Sequence, residues 1–242
     1  MKIAAVIPCR YGSSRFEGKP LALIGGKPMM WHVYQQASKA KSIGEVYIAT
    51  DDERIARVCD ELGIRHLMTA NTHATGTDRV AECARKLDVD VIVNVQGDEP
   101  FIEPDSIEAV TAALINDSEG RYAASNACTR ITGSEDVPDT GVVKVVFSAG
   151  HRAMSYSRLP VPLAFRDPAE HFRQLGLYAF RRDALEFFSV TPQGPLEKSE
   201  SVEMFRFIEH DRDVLMVEVH ESGIAVDTPA DLEKAIRFYE SL

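Results

Sequence analysis

The chain has 242 residues, 45% hydrophobic and 26% charged, which suits one large α/β core or a domain carrying an insertion. Its formal net charge of −10 argues against general nucleic-acid binding, which needs a basic face. No run approaches the roughly 18 apolar residues of a membrane span, no secretory leader is visible, and four scattered cysteines (Cys9, Cys59, Cys83, Cys128) lack a CxxC. A cytoplasmic protein with reduced, buried thiols and no membrane insertion is the expectation.

In chain order, residues 2–8 form an unbroken apolar run that predicts a buried parallel strand. The loop RYGSSRFEGKPL (10–21) follows. A helix is expected over 28–42 with Pro28 in its first turn, a strand over 45–50, and a helix over 51–63 closed by Gly63. A short strand at 66–69, a helix at 78–87 and a strand at 89–95 come next. This alternation predicts a doubly wound, mostly parallel sheet that binds ligands at the carboxyl ends of its strands. After a helix behind Pro104 and a strand at 122–131 the texture changes. A hairpin around Ala149-Gly150, a strand at 175–181, a helix at 183–190, a continuous helix over 199–210, a strand at 214–220 and a terminal helix capped by Asp227 or Thr228 complete the pattern. With no repeat or linker, residues 1–242 read as a single domain: a nucleotide-binding half (about 1–130), an elaboration (about 131–210), and a return to the main sheet (211–242).

The first loop stands out against the acidic chain. Arg10, Arg15 and Lys19 supply positive charge, Ser13 and Ser14 offer donors, and Gly12 and Gly18 let the backbone approach a ligand. That combination suits a triphosphate at a strand-to-helix turn, although it is neither a Walker loop nor GxGxxG. A merely solvated polar loop is the alternative. In NVQGDEP (94–100), Asp98 at a strand end suits Mg2+, which takes one or two carboxylates plus phosphate oxygens, or it simply caps a turn. Asp227 is an ordinary N-cap or, beside Asp98, a second metal carboxylate. Thr75, Gly76, Thr77, Asp78 and Arg79 suit a nucleoside pocket, or a capped helix. Glu200 reads as part of a solvated helix face, and Cys9 as a packed thiol inside the loop.

Taken together and in this order, RYGSSRFEGKPL, ATDDERI, TGTDR, NVQGDEP, VKVV, YSRLPVP, LGLYAFR and VDTPADLE resemble the CMP-Kdo synthetases, the 3-deoxy-manno-octulosonate (Kdo) cytidylyltransferases, over essentially the whole chain. The resemblance implies a nucleotidyltransferase-like fold with a β-rich dimerisation insertion in the second half, and a homodimer. It implies a Mg2+-dependent reaction of CTP with a 2-keto-3-deoxy sugar acid, giving CMP-sugar and pyrophosphate. Arg10, Arg15, Lys19 and Asp98 would be catalytic, with Arg10, Ser13, Ser14 and Lys19 on the triphosphate. Pro8, Thr75, Gly76, Asp78, Arg79 and Gln96 would surround the cytidine, Asp98 and Asp227 would hold Mg2+, and Arg158, Gln174, Tyr178, Glu203 and Met204 would face the sugar acid.

Three departures from the family pattern matter. Glu17 replaces a loop proline, Gln174 replaces a histidine, and Met204 replaces an amide. The last two lie on the sugar side and point to a Kdo relative (an amino- or deoxy-Kdo, or a nonulosonic acid) as the alternative substrate. A nucleotide-sugar glycosyltransferase is a remoter alternative, because Gln96-Gly97-Asp98 offers one aspartate where a DxD motif has two. A catalytically silent binding module is equally remote, since the cations and both aspartates are present.

Overall fold

Apolar runs that do not alternate need cover on both faces, and parallel strands provide it. In the computed structural model, which describes residues 1–12, 16–133, 135–220 and 224–242, the chain divides into two units, Met1–Glu108 with Glu221–Leu242, and Ala109–His220.

The first unit is built on β1 (Ile3–Pro8), whose inner residues are fully buried. The small antiparallel pair β2 (Leu23–Ile24) and β3 (Lys27–Pro28) follows the cationic loop. β1 lies parallel to β4 (Glu45–Thr50) on one side and to β6 (Val91–Val95) on the other, and β4 continues to β5 (His66–Met68). The crossovers are α1 (Met29–Ala37), α2 (Glu53–Glu61) and α3 (Gly76–Lys86). α1 is shorter than the expected 28–42, because Ser38 turns its hydroxyl back onto the Tyr34 carbonyl and ends the ladder. α2 starts where Asp52 accepts from the Arg54 N–H and closes at Gly63, φ 64°. The β2–β3 turn, absent from the sequence reading, is Gly25-Gly26 with φ 55° and 79°, the two-residue hairpin that only such residues close without strain.

α4 (Pro104–Ile115) carries the chain into the second unit. There β7 (Tyr122–Arg130) pairs antiparallel with β10 (Phe172–Arg181) and parallel with β11 (Asp213–Glu218). The expected hairpin forms between β8 (Lys144–Phe147) and β9 (Ala153–Ser157), and β8 also pairs with β10. α5 (Arg182–Val190) follows β10.

The continuous helix expected over 199–210 is instead two short ones, α6 (Pro195–Glu200) and α7 (Phe205–Ile208). Ser201 takes a left-handed conformation, φ 55°, and breaks the run. The chain folds back so that Arg206 meets Glu197 in a buried ion pair at 2.6 Å. The helical periodicity of 199–210 gives way to that tertiary contact.

The chain then returns to the first unit as α8 (Pro229–Glu240). Thr228 is its N-cap, in a reciprocal capping box with Asp231, so Asp227 is not spent as the cap. One apolar cluster, Ile24, Met29, Phe101, Val226 and Ala235 with Phe16 packed against it, gathers the loop after β1, the turn after β6 and the segment before α8. Phe16, Phe101 and Val226 lie within three residues of Lys19, Asp98 and Asp227 respectively, so burial of the apolar neighbours brings the charged residues together.

Candidate functional site

The loop after β1 is closed by the Gly18 N–H donating to the Tyr11 carbonyl at 2.8 Å. Gly18 is left-handed, φ 69°, and a Cβ there would stand 3.2 Å from the Tyr11 ring. The Arg54 guanidinium lies 3.3 Å over that ring. Glu17 is exposed and adds to the acidic field around Arg54, whose pKa is raised first by its hydrogen bond to Asp52. Arg10 is exposed. Ser13, Ser14 and Arg15 lie outside the described residues.

Just beyond Gly18, the Lys19 ammonium donates to Asp98 Oδ2 at 2.9 Å and to Asp227 Oδ1 at 3.2 Å. Two carboxylates far apart in the sequence therefore converge on one cation. The Val226 N–H donates to the Asp98 carbonyl at 2.9 Å and fixes the two segments side by side. Both carboxylates are partly open to solvent. This hard-oxygen pair fits Mg2+, which keeps waters and phosphate oxygens for its remaining positions. Among the described residues no group of three or more metal-ligating side chains forms.

Gly97 is buried against the end of β1, where a Cβ would stand 3.0 Å from both Cys9 Sγ and the Pro8 carbonyl oxygen. Cys9 is buried, and burial foremost pushes its thiol far up, so it packs rather than reacts. At the start of α3, a Cβ on Gly76 would lie 3.5 Å from Pro8 Cγ and 3.6 Å from Gln96 Nε2, so those three positions meet at one point. Thr75 and Asp78 are joined in the capping box of α3: the Asp78 N–H donates to Thr75 Oγ1 at 3.2 Å and the Thr75 N–H to Asp78 Oδ2 at 3.1 Å. Arg79 is buried, paired with Asp51 at 3.2 Å and bonded to the Thr69 hydroxyl. The helix start is capped, and through Gly76 the same segment lies beside Pro8 and Gln96. Thr75, Asp78 and Arg79 fix the helix start, while Gly76 presents its backbone next to Pro8 and Gln96.

The second unit holds a cavity of about 240 Å³, lined by residues 141–143, 173–176, Tyr178 and 201–203. Gln174, Tyr178 and Glu203 all line it, and Gln174 Nε2 donates to the Tyr178 hydroxyl at 3.0 Å. Met204 does not; it is fully buried at the start of α7. Arg158 also stands outside the lining, with Nη1 on the Thr140 carbonyl and Nε on the Glu200 carbonyl. Glu200, expected on a solvated face, instead accepts the Arg158 N–H at 2.9 Å, because the break at Ser201 turns it inward.

Sequence reasoning missed Asn126. β10 bulges between Gln174 and Tyr178, and the buried Asn126 amide donates to the Leu175 and Leu177 carbonyls at 3.0 and 3.1 Å. It thereby satisfies the main-chain groups that the bulge leaves unpaired, and it holds the lining strand. The sequence offered little signal for it, since Asn126 stands beside Ser125 in a strand that also carries Thr129 and Arg130.

Parallel strands whose carboxyl ends gather a lysine and two aspartates, beside a small proline–glycine–glutamine cluster, define an α/β nucleotidyltransferase. A family profile described as Cytidylyltransferase matches residues 4–216. The 3-deoxy-manno-octulosonate cytidylyltransferase of Geobacter metallireducens is 43% identical, over 98% of this chain and 97% of its own. That of Geotalea uraniireducens is 44% identical over 98% of each. A solved CMP:2-keto-3-deoxy-manno-octonic acid synthetase complexed with CTP is 37% identical, with a TM-score of 0.94 over 100% of this chain and 99% of that one. The chain belongs to the 3-deoxy-manno-octulosonate cytidylyltransferase family, as its motifs led one to expect. Among the described residues no helix is long and apolar enough to cross a membrane.

Proposed function

We propose that the enzyme joins CTP to 3-deoxy-manno-octulosonate, releasing pyrophosphate and the CMP-sugar. The observation that carries this reading is the convergence of Asp98 and Asp227 on the Lys19 ammonium, in a chain 43% identical to enzymes of that name. Arg10 and Lys19, with Ser13, Ser14 and Arg15 of the same loop, take the triphosphate. Pro8, Gly76 and Gln96 take the base and ribose, on a helix start that Thr75, Asp78 and Arg79 hold rigid. Asp98 and Asp227 hold Mg2+, which when bound neutralises phosphate charge and acidifies a coordinated hydroxyl.

The anomeric oxygen forms a bond to the α-phosphorus, the bond from that phosphorus to the α–β bridging oxygen breaks, and the hydroxyl proton passes to solvent. No covalent enzyme intermediate is required. The chain's work is alignment and charge, with the Lys19 ammonium offsetting the charge that develops on the leaving pyrophosphate.

In the second unit Gln174, Tyr178 and Glu203 meet the sugar acid in their cavity. A related 2-keto-3-deoxy acid is the second reading, favoured by Gln174, whose neutral amide is committed to Tyr178 where the family has an ionisable histidine. The exposed apolar residues Leu159, Leu163 and Phe165, 66%, 77% and 82% accessible, support a homodimer. Four buried free cysteines suit the cytoplasm.

The test is pyrophosphate release with CTP, Mg2+ and a panel of 2-keto-3-deoxy acids. Release that requires both CTP and Kdo supports the first reading, and preference for another acid in the panel supports the second. Absence of release with every acid overturns both.

A further inference from the structure

The lysine of β8, Lys144, is fully buried, where an ammonium is rarely found without a carboxylate partner. Its three donors go instead to three main-chain carbonyls: Asp139 at 2.8 Å, Val142 at 2.7 Å and Arg158 at 2.6 Å. An ammonium has three protons, so its capacity is filled. The first two carbonyls bracket Thr140 and Gly141, at the start of one wall of the cavity. The third belongs to Arg158, whose guanidinium reaches the carbonyls of Thr140 at 2.8 Å and Glu200 at 2.7 Å. Glu200 leads directly into Ser201–Glu203, another part of the lining. Lys144 thus ties one wall to Arg158, and Arg158 ties that wall to the next.

We propose that Lys144 is a positioning residue, part of a buried brace with the Arg158 guanidinium that sets the spacing of the cavity walls and hence its affinity for the sugar acid. The proposal rests on the reading that this cavity takes the sugar acid. Burying an ammonium costs several kcal/mol even when it is well bonded, and burial also lowers the Lys144 pKa, with Asp139, Arg158 and Glu200 as the charged groups around it. A buried charge held only by carbonyls stabilises the particular loop geometry that presents those carbonyls. An apolar residue there would pack as well and hold nothing. Arg158, which the family resemblance places against the sugar acid, is the second half of that brace through its Thr140 and Glu200 contacts.

The experiment measures the KM of each substrate in Lys144→Met, which keeps the side-chain length and loses all three donors. The brace predicts a rise of about tenfold in the KM for the sugar acid with the KM for CTP within about twofold of wild type. Equal changes in both, or no change, overturn it. Gln174→Ala, which alters the cavity directly, separates the two layers of the argument: an unchanged sugar-acid KM there removes the cavity reading, whereas a raised KM there beside an unaffected Lys144→Met removes only the brace. If Lys144→Met does not fold, Arg158→Lys takes its place, with hydrogen exchange read in the absence of substrate. The N–H groups of Val142 and Ser201 are bonded at 3.2 and 2.8 Å and report the two walls. Exchange about tenfold faster at both supports the brace; wild-type exchange at both, whatever the KM, overturns it.

Discussion

Replacing Gly97 by alanine tests whether the turn after β6 is placed by contact with the end of β1. The new Cβ would stand 3.0 Å from the Pro8 carbonyl oxygen and 3.0 Å from Cys9 Sγ, where ordinary contact begins near 3.4 Å. Neither partner yields easily. Pro8 is in register with Ala49 of β4, and the Cys9 N–H is bonded to the Ala49 carbonyl at 2.8 Å. The turn itself therefore moves by about 0.4 Å, and Asp98, the next residue, moves with it off a 2.9 Å contact with Lys19. If a 1 Å misplacement at a reacting centre costs about a hundredfold, 0.4 Å costs roughly sixfold in kcat, about 1 kcal/mol. The assay is pyrophosphate release at saturating CTP and sugar acid, with thermal unfolding measured on the same samples. Adding Cys9→Ala removes the sulfur contact and restores only part of the loss, because the Pro8 oxygen remains. A Gly97→Ala enzyme with wild-type kcat would refute the reasoning.

Lys19→Ala and Asp98→Asn should each lower turnover at least about a hundredfold, about 2.7 kcal/mol of transition-state stabilisation; full activity in both would end that assignment. Glu197→Gln leaves the buried Arg206 guanidinium, now bonded to both Glu197 oxygens at 2.6 and 2.8 Å, without its counter-charge. Its expected cost is about 3 kcal/mol or more in a urea melt, and an unchanged midpoint would contradict it. For Glu82, burial favours the neutral acid, but Lys86, the Ala70 N–H and His73 outweigh it and hold the carboxyl down at about 2, from 4.5. The unfolded chain takes up that proton first, so the stability Glu82 contributes is whole above 4.5 and is lost as pH falls towards 2. Glu82→Gln should flatten the pH dependence of the melting temperature in that window, and an unaltered slope would count against the network.

The parallel half of the fold was legible because β1 and β6 are apolar runs too continuous for a one-sided sheet. The cationic loop and the two aspartates could be named from charge and position alone. That they meet could not be derived locally, because the meeting depends on Phe16, Phe101 and Val226 sharing one core. The Gly25-Gly26 pair is a readable turn signal, but strands of two residues on either side are too short to show a period of their own. It is also locked from outside, since a Cβ on Gly25 would stand 2.1 Å from the Tyr239 ring of α8. The break at Ser201, the inward turn of Glu200 and the bulge held by Asn126 were not legible, because each is settled by partners far along the chain, against a regular local pattern. Lys144 reads in sequence as an ordinary strand lysine, and only the loops that wrap it make it internal.

The placement of Val226 and Asp227 has a consequence for biosynthesis. The contact of Asp227 with Lys19 spans 208 positions, so it forms only once the residues between them have been made and folded. A chain cut before residue 226 keeps the Lys19–Asp98 contact and loses the one with Asp227.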